Sequence, residues 1–339
     1  MAKISSCIVL TIVGLVDGSS PALRQLMVNG VNTKPGEYPF HTQVGCCSGA
    51  LIAPDVVLTA GHVVPPASAV GMTVTVGAYF SSVTATQGDP RTVTHAVQHP
   101  NYDSMHNDFC ILILDQPSEK QPVRINRSSH IPNAYDPVTL LGTGTLNLTT
   151  SERSEVLQET KALYIPPAEC SEAYDPERGI SYAGGFMDDT NICTKGKGDG
   201  CVFDSGGPVI VGNETLVGLI SFGVDCNDPI YPAVNARVSA VSEWIDSVVC
   251  QYSADPPEDY ACAAKTSAMD LSPTNKSELP ERRSSELRSC LFRWPTCAFL
   301  GGILLGTVVA LLFLQFWKRK QSAVSSVGER QMLLDTPRC

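Results

Sequence analysis

The chain has 339 residues, with 24 Lys/Arg against 34 Asp/Glu and a formal charge of −10. The stretch 27–250 is more acidic still, with 11 Lys/Arg against 24 Asp/Glu, which argues against nucleic acid as a partner and favours attraction of basic peptides. No group of residues has zinc spacing, so no metal is expected.

In chain order, Lys3, the apolar run Cys7–Val16 and the small residues Gly18-Ser19-Ser20 predict a secretory signal over 1–20. Short β-branched runs follow, among them Val44 with Ala50-Leu51-Ile52, Met72–Val76 and Leu216–Ile220. Gly, Pro and Asn clusters separate them, which argues for an all-β barrel or sandwich. Val241, Trp244, Ile245, Val248 and Val249 fall at helical spacing and predict a closing helix. From 251 to 296 the composition turns to Pro, Ser, Lys and acid, as in a disordered stalk without a core.

Residues 297–317 are apolar over the length that crosses a bilayer as a helix, and Lys318-Arg319-Lys320 follows at once. With the leader this predicts a single-pass type I membrane protein whose tail is 318–339. Sequons at Asn126, Asn147, Asn213 and Asn275 all precede the span, as an outward-facing glycoprotein requires. Glu329-Arg330-Gln331-Met332-Leu333-Leu334 has the form of an acidic dileucine signal, so a sorting adaptor is an expected partner. The expected location is the cell surface or an endosomal or lysosome-like compartment.

Three segments carry chemistry. Val56–Leu58 leads through Thr59-Ala60-Gly61 to His62, and Asn107-Asp108 opens the apolar run Phe109–Leu114. Gly198–Pro208 sets Ser205 between Asp204 and a glycine pair. A serine nucleophile needs a base, a neutral histidine needs a buried carboxylate to fix its tautomer, and backbone N–H groups beside the serine would stabilise an oxyanion. Each motif alone is commonly a turn or a core residue. The three together, in the order His, Asp, Ser, are not.

At these motifs the chain resembles the trypsin/chymotrypsin family of serine proteases. The resemblance covers about residues 27 to 250, a protease domain preceded by a short propeptide, 21–26. It implies two six-stranded antiparallel β-barrels closed by a C-terminal helix, with a site between them. The transmembrane helix would be separate. It also implies catalytic His62, Asp108 and Ser205, and an oxyanion hole from the N–H groups of Phe203 and Ser205. No cofactor is implied, and the Gly77–Arg91 loop lacks the calcium-binding glutamates of trypsins.

Asp199, six residues before Ser205, matches the carboxylate of a pocket for Arg or Lys. Ser221, Phe222 and Gly223 match the strand that pairs with substrate backbone, and Ser221 is expected to bond Asp108. Ala233 replaces a pocket-wall glycine and would narrow the pocket. Met27 matches the new amino terminus of an activated protease, which would pair with Asp204. The residue before it is Leu26 rather than Arg or Lys, which argues against a trypsin-like activator.

Disulfides Cys170–Cys193 and Cys201–Cys226 are implied, and Cys250 with Cys262 is a candidate pair. Cys47 lacks its usual partner because that position is Val63, so Cys46 or Cys110 becomes the alternative. Cys290 and Cys297 are candidates for an intermolecular bridge. Phenylalanine at 203, where the family has glycine, keeps the N–H but adds strain and a ring. The expected activity is a serine endopeptidase acting on proteins or peptides. The alternative is a catalytically impaired homologue that binds or inhibits another protein, and a sorting receptor is a third reading.

Overall fold

The computed structural model describes residues 30–260 and 262, apart from 82–86, 148–151, 184–187, 197, 199, 202 and 227. Its main elements are two barrels. The first is built from β1 (His41–Val44), β2 (Cys47–Ala53), β3 (Val56–Thr59), β4 (Thr73–Val76), β5 (Asp89–Gln98) and β6 (Cys110–Leu114). They close in the order β1-β2-β3-β6-β5-β4. β3 and β6 are buried at every position, so they read as continuous apolar runs rather than as alternations.

The second barrel follows with β7 (Pro137–Gly142), β8 (Gln158–Ile165), β9 (Asn191–Gly196), β10 (Pro208–Val211), β11 (Thr215–Phe222) and β12 (Ala233–Arg237). They run β8-β9-β12-β11-β10-β7, and β7 pairs back onto β8 to close the ring. The neighbour relations repeat those of the first barrel, strand for strand. Inside it Val138, Leu140, Ala162, Tyr164, Ile192, Val209, Val217 and Ile220 form one apolar cluster. β8 alternates buried Gln158, Thr160, Ala162 and Tyr164 with more open Glu159, Lys161 and Leu163, the period-two pattern of a strand with one face on the core.

The closing helix is Ser242–Tyr252. It buries Ile245, Val248 and Val249, while half-buried Trp244 makes an edge-to-face contact with His99, ring centres 4.8 Å apart. Its spacing was legible; its continuation was not. Residues 251–260, assigned to a stalk by composition, belong to the folded unit. Ser253 Oγ donates to Asp55 Oδ1 at 2.5 Å, Ala254 N–H donates to Asp55 Oδ2 at 2.7 Å, and Tyr260 is buried with its hydroxyl on the Ile52 carbonyl. Arg127 also stands over the Tyr260 ring and bonds Asp246 and Asp259. Isolated acids and prolines looked like solvated linker because their partners lie on the first barrel, far away in sequence.

Among the described residues no helix is long and apolar enough to cross a membrane. The expected leader, span, tail signal, Met27, Asn275, Cys290 and Cys297 lie outside them. Asn213 is exposed and Asn147 lies in a short strand. Asn126 is a correction. Its side chain is 4% exposed, and its amide nitrogen donates to the carbonyls of Ser128 and Ile131 at 2.9 Å each. A glycan on that nitrogen would replace one of its two N–H donors and so cost one of these bonds at a buried position, so this sequon is spent on a local turn.

Candidate active site between the barrels

His62 follows β3, and Asp108 lies just before β6; β3 and β6 are paired, which brings the two loops together. Asp108 is 1% exposed. Its Oδ1 accepts the His62 backbone N–H at 2.9 Å, and its Oδ2 meets His62 Nδ1 at 2.7 Å. Ser221 Oγ, from β11 of the other barrel, donates to Oδ2 at 2.5 Å. Burial alone would push the Asp108 carboxyl up, but the His62 charge and these bonds hold it below the usual carboxylate range. Burial likewise pulls the imidazole down, and the Asp108 charge and hydrogen bond outweigh it, leaving His62 above its ordinary value. Gly61 lies close beside them: a Cβ there would stand 3.2 Å from Asp108 Oδ1 and from the Phe109 backbone, a tight fit.

His62 Nε2 is enclosed and makes no hydrogen bond. Ser205 is 6% exposed, held by its carbonyl accepting from Ser48 N–H at 3.0 Å. Gly206 behind it has φ 74°, and a Cβ there would strike the Thr59 side chain and the Ser48 carbonyl. This glycine lets the serine loop lie directly against the first barrel. The N–H groups of Phe203 and Ser205, beside the serine, donate to nothing among the described residues.

Phe203 itself has φ 74°, and Asp204 N–H closes a turn onto the Cys201 carbonyl at 2.9 Å. A positive φ at this position of a turn suits glycine or asparagine rather than phenylalanine. Asp204 is wholly buried. Its carboxylate accepts from Gly144 N–H at 2.7 Å and Cys201 N–H at 2.9 Å. Burial pushes it up to about 7, against the pull of those two donors and the charge of Arg153. Gly142 and Gly144 leave room for it, because a Cβ at either would land on the carboxylate.

Disulfides Cys170–Cys193 and Cys201–Cys226 brace the loops on either side of the serine segment. Cys46, Cys47, Cys250 and Cys262 are also in disulfides. Cys110 is not a partner for Cys47: it is a free, fully buried thiol on β6, pushed up to about 12 by burial and so inert. Ala233 sits on β12, 9% exposed, next to Val234, which pairs with Phe222. Phe222 is half-buried and Gly223 exposed, while Asp199 lies outside the described residues. No group of three or more potential metal ligands exists among the described residues. Arg153, whose guanidinium stands 4.6 Å from the centre of the Phe203 ring, has no sequence motif and was not foreseen.

The profile of the family described as Trypsin matches residues 27–245. The chain belongs to the trypsin family. It is 32% identical over 259 residues to the vitellin-degrading protease of Bombyx mori, covering 71% of this chain and 93% of that protein. It is 26% identical over 251 residues to glucanase inhibitor protein 2 of Phytophthora sojae, covering 67% and 80%. The solved structure of neuropsin, a serine protease expressed in the limbic system of mouse brain, superposes with a TM-score of 0.56. It is 22% identical and the match covers 65% of this chain and 98% of that one, which bears on the fold alone. That fold is two six-stranded barrels and a C-terminal helix.

Proposed function

We propose that the chain is a serine endopeptidase that hydrolyses peptide bonds through an acyl-enzyme. Ser205 Oγ attacks the scissile carbonyl while His62 Nε2 takes its proton. The carbonyl oxygen, now negative, is received by the N–H groups of Phe203 and Ser205. The tetrahedral intermediate collapses as His62 returns the proton to the leaving amine. Water, deprotonated by His62, then attacks the acyl carbon; Ser205 leaves and recovers its proton. Asp108 stays ionised and fixes the tautomer that keeps Nε2 free to accept. The observation that carries this reading is the saturation of Asp108 by His62 and Ser221, with His62 Nε2 left unbonded.

Asp199 would pair with a substrate Arg or Lys. The Ala233 methyl would lower efficiency toward a long guanidinium, and the Ser221–Gly223 strand edge would pair with substrate backbone. Cleavage before Met27 would place an ammonium on buried Asp204. The protease domain would face outward or lumenally on a type I anchor, with the tail motif read by a sorting adaptor. A peptide library incubated with the cleaved protein, with Ser205→Ala as control, tests activity and specificity together. Cuts after Arg and Lys that vanish in the variant are expected; a preference for large apolar residues would overturn the basic specificity.

A second reading has two observations behind it. Phe203 holds a backbone conformation that suits glycine, and some relatives are named as inhibitor proteins. A binding or inhibitory role follows if the folded, cleaved protein cuts nothing in that library.

A further inference from the structure

Arg153 takes no part in the proton transfers proposed above, yet it touches the loop on which they depend. It ends a short ladder in which Glu152–Arg153 pairs with Thr145–Asn147. Its Nη2 donates to the Cys46 carbonyl at 2.6 Å, and its Nε is buried without a hydrogen bond. A guanidinium that loses water and leaves a donor unmade is unfavourable on its own. Two things offset this: the face of the Phe203 ring and the nearby charge of Asp204. The next residue, Ser154, donates its N–H to the Gly144 carbonyl at 3.0 Å, and Gly144 N–H in turn holds Asp204. One hairpin therefore grips two consecutive residues of the serine loop, Phe203 by its ring and Asp204 by its carboxylate.

The conformation of Phe203 gives this grip a purpose. Left to itself, a phenylalanine relaxes to negative φ, and that rotation about its N–Cα bond reorients its N–H relative to the residues that follow. That rotation would turn the N–H away from its present direction beside Ser205. We propose that Arg153 is a positioning residue for the oxyanion site. By holding the Phe203 ring it keeps the Phe203 N–H in the orientation that glycine would reach without strain. The idea rests on the endopeptidase reading for its catalytic consequence, but the Arg153–Phe203 coupling is a property of the fold.

The test is a double-mutant cycle in the full-length protein cleaved before Met27. Arg153→Ala, Arg153→Met and Arg153→Lys are each made with Phe203 and with Phe203→Gly. With Phe203 present, Arg153→Ala should lower kcat about 10-fold, the size of a desolvated cation–π contact, and change KM less than about 2-fold. With Phe203→Gly the same change should lower kcat less than about 2-fold. Arg153→Met, which keeps the stem without the charge, should behave like Arg153→Ala, and Arg153→Lys should recover part of the loss. Equal losses in both backgrounds, or none in either, would overturn the proposal.

Hydrogen exchange at the Asp204 amide, which is bonded to the Cys201 carbonyl, gives a readout independent of hydrolysis. It should quicken in Arg153→Ala only when Phe203 is present. Protein that cuts no peptide but shows this exchange pattern would sink the endopeptidase reading and leave the role of Arg153 standing. Exchange that is unaffected by Arg153 would sink the role itself.

Discussion

The two barrels share one strand order but hold their parts of the site by different means. The first presents His62 on a carboxylate whose oxygens are filled from three directions: a backbone N–H, an imidazole and a hydroxyl from the other barrel. The second presents Ser205 on a loop with a phenylalanine at positive φ and a buried carboxylate, Asp204, met at bonding distance by two backbone N–H groups. The acid–base half is complete as it stands. The proposed oxyanion half is strained at Phe203, and two N–H donors and the charge of Arg153 do not outweigh the burial of its carboxylate. Two carboxylates equally removed from water thus move in opposite directions: Asp108 falls below the ordinary range and Asp204 rises to about 7.

The largest effects should come from breaking the complete half or its nucleophile. Ser205→Ala should lower kcat by about a million-fold, the scale on which such sites lose catalysis when the nucleophile goes. Asp108→Asn should lower kcat by about 10,000-fold, a size taken from this substitution within the same family rather than from the present geometry. Because His62 must be neutral to act as base, activity falls as pH drops through its value, which Asp108 holds above the ordinary one. Loss of that charge should therefore move the acid limb of the rate profile to lower pH, and a limb that stays put would contradict the assignment. Ser221→Ala removes one of the bonds on Asp108 and should cost about 10-fold in kcat, within the range of a hydrogen bond to a charged group.

The weaker half offers the finer tests. Phe203→Gly should relieve about 1 kcal/mol of backbone strain, offset by the lost contact with Arg153 and by the greater freedom of glycine in the unfolded chain, so no rise in Tm but several-fold higher kcat is expected. A fall in kcat would mean that the ring itself assists the reaction.

Asp204 makes a pH prediction. Its folded value, about 7, lies above its ordinary 3.8, so the folded state keeps a proton that the unfolded state releases. Its contribution to stability is therefore greatest at low pH and is lost as pH rises from about 4 through 7. Thermal unfolding of uncleaved protein across that window should show the decline. Asp204→Asn should flatten it, and cleavage before Met27 should reduce it by supplying an ammonium. An identical slope in cleaved and uncleaved protein would argue against that pairing.

Much of this was legible in the sequence. The apolar strands before His62 and after Asp108 announced a buried sheet, and the helical spacing from Val241 to Val249 announced the closing helix. The contact of Ser221 with Asp108 came from resemblance, since 113 residues separate them and no local pattern links them. What escaped was tertiary. Ser253, Ala254 and Tyr260 read as linker until Asp55 and Ile52 were seen beneath them. Asn126 read as a glycan acceptor until its amide was found folded into a turn. Arg153 had no signal at all: its meaning lies in a ring brought over it from another loop.

The central claim is that Ser205 is a working nucleophile whose oxyanion loop is competent once Met27 is free. It is tested most directly by covalent labelling with a fluorophosphonate before and after cleavage between Leu26 and Met27. Labelling that rises on cleavage and disappears in Ser205→Ala is the predicted result. Folded protein with a verified Met27 terminus that remains unlabelled would contradict it.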